Sequence, residues 1–295
     1  MRTLPLRMGN SIKTYDFKSG LSNEIELVPI SSIFRDHGQN IIEPHRADFY
    51  HIFWLTKGTP THTVDFIPVR LQPDSLLFIN KNRVHFFDRS GDYDGWILLF
   101  TDTFFVQSPR DALFLHNTIL FHDLLEVIPL LDLKEATSNL TLVLEQIRTE
   151  LKNPDDLVHT PLLQNMLHNL LMLAEREHRR QGFSEIKKGP NLDHTLAFTQ
   201  LLDKQFTHQK AVQQYASQMG ITERRLQQAT SAALGKTPKQ LVEERVLLEA
   251  KRLLVHTSQS IKEIGFELGF EEPTNFGRFF PQKIGRTPAE FRQSF

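Results

Sequence analysis

Short runs of apolar residues, separated by turn residues, fill the chain from residue 24 to residue 105 and predict a β-rich region. The run at 49–56 is apolar on both faces, which indicates a buried central strand. The turn residues between the runs are spaced as in a compact sandwich or barrel. The strands predicted from these runs lie at 49–56, 61–71, 76–80 and 96–100.

From Pro109 onward, apolar residues recur every three or four positions, which is the period of amphipathic helices. One stripe runs through 140–151, and a broader one runs through 162–173. The broader stripe is wide enough to cover the β-rich region and also to meet a second subunit. We therefore predict a homodimer formed through this helix, with Leu163 and Leu170 in the interface.

The predicted fold class is α+β, with two domains joined by a linker. An N-terminal domain at 1–181 holds a β-barrel at about 20–105 and helices at about 110–181. The glycine, lysine and proline residues of 182–191 have the composition of a linker. The pattern after it, at 192–295, is helical throughout and predicts an all-α domain.

The helical domain contains a duplicated segment. Gly220 is followed by Gly235-Lys236-Thr237-Pro238, and Gly269 is followed by Gly285-Arg286-Thr287-Pro288. The same pattern of glycine and proline residues therefore recurs after 49 to 50 residues. A helix, a turn with glycine and a second helix are the parts of a helix-turn-helix, so the repeat predicts two such motifs.

Local signals place the helices of each motif. A leading helix at 210–219 is followed by the turn at Gly220, and Thr222 is expected to cap the recognition helix. In the second copy Ser260 caps the leading helix and Glu272-Pro273-Thr274 opens the recognition helix. The small residues Ala216 and Gly265 are expected where the paired helices approach each other.

The exposed faces of the two recognition helices carry side chains that are suited to reading bases. Arginine and glutamine form bidentate hydrogen bonds with guanine and adenine edges. The stretch at 238–256 between the copies predicts one helix roughly 28 Å long, close to the roughly 34 Å between successive major-groove faces. A helical bundle or solenoid would give a similar periodicity. The candidate base-reading residues are Arg224, Gln227, Gln228 and Ser231 in the first motif and Thr274, Asn275 and Arg278 in the second.

The segment at 241–291 resembles the AraC/XylS family of transcription regulators. The resemblance implies a sequence-specific regulator that binds double-stranded DNA through two helix-turn-helix motifs. It assigns base contacts to the candidates above except Ser231, and contact with RNA polymerase is a further expectation. The motifs that carry it are Glu249-Ala250-Lys251-Arg252-Leu253-Leu254, Ser260-Ile261-Lys262-Glu263-Ile264-Gly265, Leu268-Gly269-Phe270, Phe276-Gly277-Arg278-Phe279-Phe280 and Gly285-Arg286-Thr287-Pro288-Ala289-Glu290-Phe291-Arg292.

One position departs from the pattern of that family. Pro281 stands where the family usually has a basic residue after the paired aromatics. Proline removes a helix hydrogen bond and presses on the carbonyl group of Gly277, four residues earlier. We therefore expect a bent or shortened second recognition helix.

The N-terminal strands resemble the sensory cupin-like barrel that often accompanies this family. The resemblance rests on 44–51 with Gly58, and on 74–80 with Val84-His85. Metal-binding cupins use two histidines and a glutamate of the first segment and one histidine of the second. Here His51 follows His45 by six residues instead of two, and no glutamate has the expected offset, so neither a metal nor another cofactor is predicted.

A pocket for a small organic effector is the preferred interpretation of the barrel interior. A three-imidazole metal site and a purely structural aromatic core stay open, the latter because the chain has 23 Phe. The candidate effector-binding residues are His45, His51, Phe53, Phe78, His85 and Trp96.

The composition of the chain narrows the function classes that remain. The chain has no cysteine, which excludes disulfides and thiolate chemistry. Charge differs between the halves, with 20 Lys and Arg against 24 Asp and Glu up to Gly189, and 14 against 11 after it. No secretory or membrane-spanning apolar stretch is evident, so a cytoplasmic protein without membrane contact is expected.

Two other function classes remain as alternatives. One is a cupin-type metalloenzyme with an appended helical domain, which stoichiometric bound metal would reveal. The other is a helical interaction scaffold, which salt-dependent affinity for DNA would exclude. The sequence has no phosphate-binding loop, no evident catalytic triad and no close carboxylate pair in an apolar setting, so no catalytic residue is predicted and the protein is not expected to be an enzyme.

Overall fold

The chain forms two compact units, one within Lys13–Glu185 and the other within Ile186–Phe295 together with residues 11 and 12. The division falls inside the predicted linker at 182–191, of which the structure describes only the last three residues, and helix already begins at Pro190. Most of 1–20, where no secretory segment is predicted, lies outside the described residues. The computed structural model describes residues 11–17, 24–87, 93–121, 128–134, 139–181 and 189–295.

The described part of the first unit contains two five-stranded sheets. The strands are β1 (Lys13–Tyr15), β2 (Ile25–Pro29), β3 (His45–Ala47), β4 (Tyr50–Lys57), β5 (Thr61–Val64), β6 (Ile67–Arg70), β7 (Ser75–Ile79), β8 (His85–Phe86), β9 (Asp94–Phe100) and β10 (Leu130–Asp132). Their orders are β1-β3-β8-β5-β6 and β10-β7-β4-β9-β2, antiparallel except for the pair β1 and β3. The predicted β-rich region is confirmed.

The strand predicted to be apolar on both faces is β4, which lies between β7 and β9 and is buried from Tyr50 to Leu55. Its two faces serve two different cores, since side chains alternate along a strand. Phe53 packs in a cluster that also includes Val64 of β5 and so joins the two sheets. Ile52 packs in a second cluster with residues of the following helices.

The β-rich region differs from the prediction in two places. The strand predicted at 61–71 is a hairpin, because Asp65 and Phe66 both have positive φ, 45° and 70°, and turn the chain between β5 and β6. A helix, α1 (Ile30–Ile41), also interrupts the region where strands were predicted. Ile30 and Phe34 lie on the apolar face of α1 and pack in the core between the sheets.

Helices follow β9, as predicted from the change of period, but the short strand β10 interrupts them and belongs to the second sheet. Residues of both predicted stripes are buried in one cluster with sheet residues such as Phe78. Burial of this apolar surface holds the helices to the sheet. These helices are α2 (Asp102–Phe105), α3 (Pro109–Asn117), α4 (Asn139–Glu150) and α5 (His159–Arg180).

The leucines predicted to form a dimer interface lie inside the unit. Leu163 and Leu170 of α5 are fully buried against the sheet and α4, so the prediction that they face a second subunit is wrong. Hydrophobic periodicity does not distinguish the core of one chain from an interface between two chains. On this helix Leu162 and Met172 are exposed instead.

The second unit is helical, and its described part, 189–295, contains seven helices and no strand, as predicted. One apolar core joins residues of both halves, including Leu226, Val246 and Phe276. The predicted all-α domain is therefore confirmed. Its helices are α6 (Pro190–Gln205), α7 (Val212–Gln218), α8 (Glu223–Leu234), α9 (Pro238–His256), α10 (Ile261–Glu267), α11 (Pro273–Ile284) and α12 (Pro288–Gln293).

Candidate functional site

The first helix-turn-helix consists of α7, a turn at Gly220 and α8. Gly220 has φ +66°, the left-handed conformation that glycine adopts without a steric cost. The Thr222 hydroxyl group accepts a hydrogen bond from the backbone N–H of Arg225, which satisfies one free donor at the start of α8. The helix ends at Gly235, whose backbone is also left-handed.

One face of α8 packs in the core and the other faces solvent. Leu226 and Ala229 are fully buried. The four predicted base-reading residues of this helix are all exposed, and the Gln227 amide lies 3.4 Å from the Ser231 hydroxyl group. The neighbouring Arg225 is engaged elsewhere, because its guanidinium group donates to the Asn191 side chain at 2.6 Å.

The second motif, α10 and α11, repeats this arrangement. Ser260 and Glu263 form a reciprocal capping box at the start of α10. Gly265 lies where the two helices touch, since a Cβ atom there would be 3.3 Å from the Cβ atom of Phe276. The turn residue Gly269 has φ +75°. The small residue in the leading helix and the glycine in the turn therefore have the structural roles expected from the repeat.

The exposed face of α11 carries Thr274, Asn275 and Arg278, while Phe276 and Phe280 are buried beneath it. The Thr274 hydroxyl group donates to the Glu272 carboxylate at 3.2 Å.

Of the two outcomes expected for α11, the shortening is wrong, and the bend stays a prediction. The helix has 12 residues, as many as α8, and continues through Pro281 to a left-handed Gly285 whose N–H group donates to the Pro281 carbonyl oxygen at 2.8 Å. The carbonyl group that loses its partner to Pro281 belongs to Gly277, which is exposed and so accessible to water.

The helix α9 connects the two motifs and has the predicted bounds. Its 19 residues span roughly 28 Å at 1.5 Å per residue. Thr237 and Gln240 form a capping box at its start. Its buried face carries an ion pair, with the Arg252 guanidinium group 2.9 Å from the Glu249 carboxylate, and Arg245 approaches the same carboxylate at 3.3 Å. The helix therefore connects the two motifs without a break, and ion pairs link residues along it.

In the first unit the strands bring four histidines together. His45 of β3, His51 of β4, His62 of β5 and His85 of β8 are all buried. The rings of His45 and His51 have their centres 4.5 and 4.8 Å from the centre of the His85 ring. His62 Nε2 and His85 Nδ1 form a hydrogen bond at 3.1 Å. We call these four residues the histidine cluster.

The histidine cluster is uncharged at neutral pH. Burial lowers the pKa of His45 to about 4 and the pKa values of His51 and His62 to about 3. The pKa of His85 is also well below its usual value, for the same reason and because the other imidazoles lie near it. His45 Nδ1 donates to the Glu43 carbonyl oxygen at 2.8 Å, which leaves its Nε2 atom as an acceptor.

Three buried polar atoms at the cluster have no hydrogen-bond partner among the described residues. They are His51 Nδ1, His85 Nε2 and the hydroxyl oxygen of Tyr15, whose ring is edge-on to His45 at 5.3 Å. Phe53 of β4 lies beside the cluster, with its ring centre 4.7 Å from that of His62. Buried polar groups are normally hydrogen-bonded, so these atoms could pair with groups that a ligand brings.

The predicted effector-binding residues do not all lie at one site. His45, His51, Phe53 and His85 lie together, but Phe78 and Trp96 belong to the opposite face of their sheet, where they pack in the core that the helices cover. The Arg148 guanidinium group lies 5.2 Å from the Trp96 ring centre. Because β4, β7 and β9 are each apolar on both faces, the sequence did not reveal which face each aromatic occupies.

Sequence reasoning missed His62 and Tyr15. The alternation of β5, in which His62 and Val64 are buried and Thr61 is exposed, was a usable signal for His62. Tyr15 lies in a three-residue strand that has no such pattern. Within the described ranges, no group of three or more His, Asp or Glu residues is arranged to hold a metal ion. None of the helices in these ranges is long and apolar enough to cross a membrane.

Both units match known protein families. Residues 28–186 match the sequence model of the AraC-like ligand binding domain, and residues 215–294 match that of a helix-turn-helix domain. The HTH-type transcriptional activator RhaS of Citrobacter koseri is 22% identical over 264 residues, which cover 86% of this chain and 89% of that protein. RhaR of Cronobacter sakazakii is 26% identical over 277 residues, 87% of this chain and 89% of its own.

Among solved structures, fatty-acid-bound ToxT from Vibrio cholerae covers 85% of this chain and 89% of its own, with 16% identity and a TM-score of 0.40. The ligand-binding family model alone spans more than half of the 295 residues, and the helix-turn-helix model spans most of the helical unit. The chain therefore belongs to the AraC family of transcription regulators, with an N-terminal ligand-binding domain and a C-terminal DNA-binding domain.

Proposed function

We propose that this regulator reads its operator through base contacts from both α8 and α11, and that a small molecule bound at the histidine cluster controls it. The first part rests on the observation that each recognition helix has one exposed face and one buried face. All seven candidate base readers are exposed, while residues between them, such as Leu226 and Phe276, are fully buried. The buried residues anchor each helix in the core, and the candidate base-reading residues face solvent, where the DNA major groove is accessible to them.

The chemistry of the exposed faces supports unequal contributions from the two motifs. Arg224 and Gln228 offer planar groups that can make two hydrogen bonds to one base, and on α11 Arg278 can do the same. Thr274 and Asn275 are shorter, and the Thr274 hydroxyl group already donates to Glu272. We therefore expect the first motif to carry most of the base discrimination.

Replacement of Arg224 or Gln228 by alanine is expected to weaken binding to the selected operator by roughly 1 to 3 kcal/mol and to relax the preference at one base position. Arg278→Ala should relax a position in the other half-site, with an equal or smaller loss. The operator is first selected from random DNA with the purified protein, and affinities for it and for scrambled DNA are then measured at two salt concentrations.

Arg225→Ala is the matched control, since it removes the same charge from the same helix at a residue bound to Asn191. It should lower affinity for operator and scrambled DNA alike. If Arg224→Ala and Arg278→Ala both leave the ratio of operator to scrambled affinity unchanged in a folded protein, the two helices do not read bases through these residues.

The unpartnered nitrogen atoms of His51 and His85 and the Tyr15 hydroxyl group support the second part of the proposal. A ligand that hydrogen-bonds with these groups would remove the free-energy cost of their burial, which is roughly 1 to 3 kcal/mol for each group. The surrounding aromatic rings supply the apolar contact that ligand pockets typically provide. The chemistry therefore favours a small organic molecule with several hydrogen-bonding groups.

A ligand screen tests this site. A compound that raises the thermal unfolding temperature of the wild type and changes its affinity for the operator should lose both effects in His51→Phe, which removes the ring nitrogens. Trp96→Phe, on the opposite face of the sheet, should keep both effects. If Trp96→Phe abolishes the response and His51→Phe does not, the effector binds at the other face.

Further features of the molecule belong to this proposal. We propose domain boundaries at 181 and 192, as expected from the linker composition, and a homodimer that uses the exposed face of α5 around Leu162 and Met172.

The relatives named as activators support a contact with RNA polymerase, and binding to chromosomal DNA supports a cytoplasmic location. The β-rich unit would act as a cupin-like sensor without catalysis.

A further inference from the structure

The turn of the second motif touches the segment that leads into the first motif. The Lys210 ammonium group, which lies just before α7, donates to the carbonyl oxygens of Leu268 at 2.7 Å and Gly269 at 3.0 Å. The same nitrogen atom lies 4.9 Å from the centre of the Phe270 ring. The two motifs are thus connected directly, in addition to their connection through α9.

The contact is close enough to exclude a side chain. A Cβ atom on Gly269 would lie 1.6 Å from the carbonyl oxygen of Thr207, far inside the contact distance of two atoms. The corresponding glycine of the first motif, Gly220, has nearly the same φ, +66° against +75°, but a Cβ atom there would have no neighbour within 4 Å. The duplicated turns therefore differ, because only the second is covered by another part of the chain.

The segment that holds the second turn is itself fixed to the first motif. Tyr215 of α7 is fully buried and donates its hydroxyl group to the carbonyl oxygen of Gln209 at 2.7 Å. The Gln209 side chain accepts from the backbone N–H of Ala211 at 3.2 Å. Hydrogen bonds therefore run from the core of the first motif, through residues 209–210, to the turn at Leu268 and Gly269.

We propose that Lys210 is a positioning residue for operator recognition, because it clamps the turn of the second motif and so fixes the distance and orientation of α11 relative to α8. The inference rests on the proposed reading of bases by both helices. The shared apolar core and α9 hold the second motif by packing, and the clamp adds charge-assisted hydrogen bonds to its turn. With the clamp the two recognition helices form a closed arrangement that is preorganised for one half-site spacing, and preorganisation increases affinity and specificity.

The test compares Lys210→Met with the wild type on the selected operator and on operators with one or two base pairs inserted between the half-sites. We expect Lys210→Met to bind the selected operator about tenfold more weakly, the effect of losing strong charge-assisted hydrogen bonds. We also expect its affinity to fall less steeply with each insertion. Lys204→Met, which removes the charge of an exposed lysine on α6, is the control and should keep the wild-type spacing profile.

A different result would assign Lys210 another role. If Lys210→Met keeps the wild-type spacing profile and only weakens binding to all DNA, with a salt dependence that falls by about one phosphate contact, Lys210 binds phosphate and the proposed clamp is wrong. If the wild type selects a single half-site, the proposed reading by two helices fails. Amide exchange then still tests the clamp, since the backbone around Gly269 should exchange faster in Lys210→Met than in the wild type.

A glycine pair gives an independent check that does not remove a charge. Gly269→Ala and Gly220→Ala impose a similar backbone strain, but only the first creates a clash with Thr207. Gly269→Ala should therefore flatten the spacing profile, whereas Gly220→Ala should keep it. Equal spacing profiles for the two variants would overturn the proposal, because the covered turn would then have no influence on how the second motif is placed.

Discussion

Acidification below pH 6.5 is expected to destabilise the N-terminal unit steeply, because its histidine cluster is buried in the neutral form. Burial holds the pKa of His45 at about 4 and the pKa values of His51 and His62 at about 3, below the ordinary value of 6.5. The unfolded chain therefore binds protons that the folded unit does not. Stability from these groups is complete above pH 6.5 and is lost as the pH falls toward the folded-state values.

The expected loss of unfolding free energy is large. Each buried histidine lowers it by about 1.4 kcal/mol for each pH unit between its folded-state pKa and 6.5. No Asp or Glu in the described part of the chain forms an ion pair with a cluster histidine that would favour its charged form. Lys13 is a charged neighbour of His45 and lowers its pKa further. Urea unfolding of the full chain at several pH values between 7.5 and 5 measures the slope.

A variant separates this effect from general acid sensitivity. His62→Phe removes one buried imidazole from a site already lined by aromatic rings, so its unfolding free energy should depend on pH with a slope smaller by about one proton. His208→Gln removes an exposed imidazole from the other unit and should keep the wild-type slope. An unchanged slope in His62→Phe would contradict the buried, neutral state of the cluster.

The helical unit could be predicted from sequence because its signals are local. Thr222 and Ser260 are helix caps, and Gly220 and Gly269 are turn residues, each of which depends only on a few adjacent positions. The repeat then supplied the tertiary arrangement, since a duplicated motif must pack twice in a similar way. The covering of Gly269 could not be predicted, because it depends on how the two copies meet.

The N-terminal unit was predicted less well because strands there have two buried faces. Phe53 and Phe78 look alike in sequence, yet they lie in different cores. The hairpin at Asp65 and Phe66 was missed because no glycine marks the turn and phenylalanine rarely adopts a positive φ, although aspartate is common in such turns. The apolar period of α5 gave no sign that Leu163 would be used within its own chain.

Among the remaining single changes, Glu249→Ala is expected to have the largest effect on the DNA-binding unit. The Glu249 carboxylate lies between two cations, 2.9 Å from the Arg252 guanidinium group and 3.3 Å from that of Arg245. Arg245 also reaches α6, 2.7 Å from the Asp203 carboxylate and 3.9 Å from the centre of the Phe206 ring. This network joins α9 to α6.

Removal of one member of a buried ion pair costs more than removal of both, because the remaining charge keeps its desolvation penalty. The Glu249 and Arg252 side chains are only 9% and 4% exposed, so Glu249→Ala should lower the unfolding free energy of the helical unit by about 3 to 5 kcal/mol. The double variant Glu249→Leu with Arg252→Met has no charge at either position, and it should recover most of the loss. Glu249→Gln, which keeps an acceptor oxygen, should fall between them.

Thermal unfolding and operator binding measured over the same temperature range check this prediction. Since α9 carries both motifs, affinity for the operator should disappear at the temperature at which the helical unit of Glu249→Ala unfolds, and the double variant should bind at temperatures where the single variant does not. A loss below about 1 kcal/mol in Glu249→Ala, the size typical of an exposed ion pair, would mean that water reaches this pair and that it does not hold α9 in place.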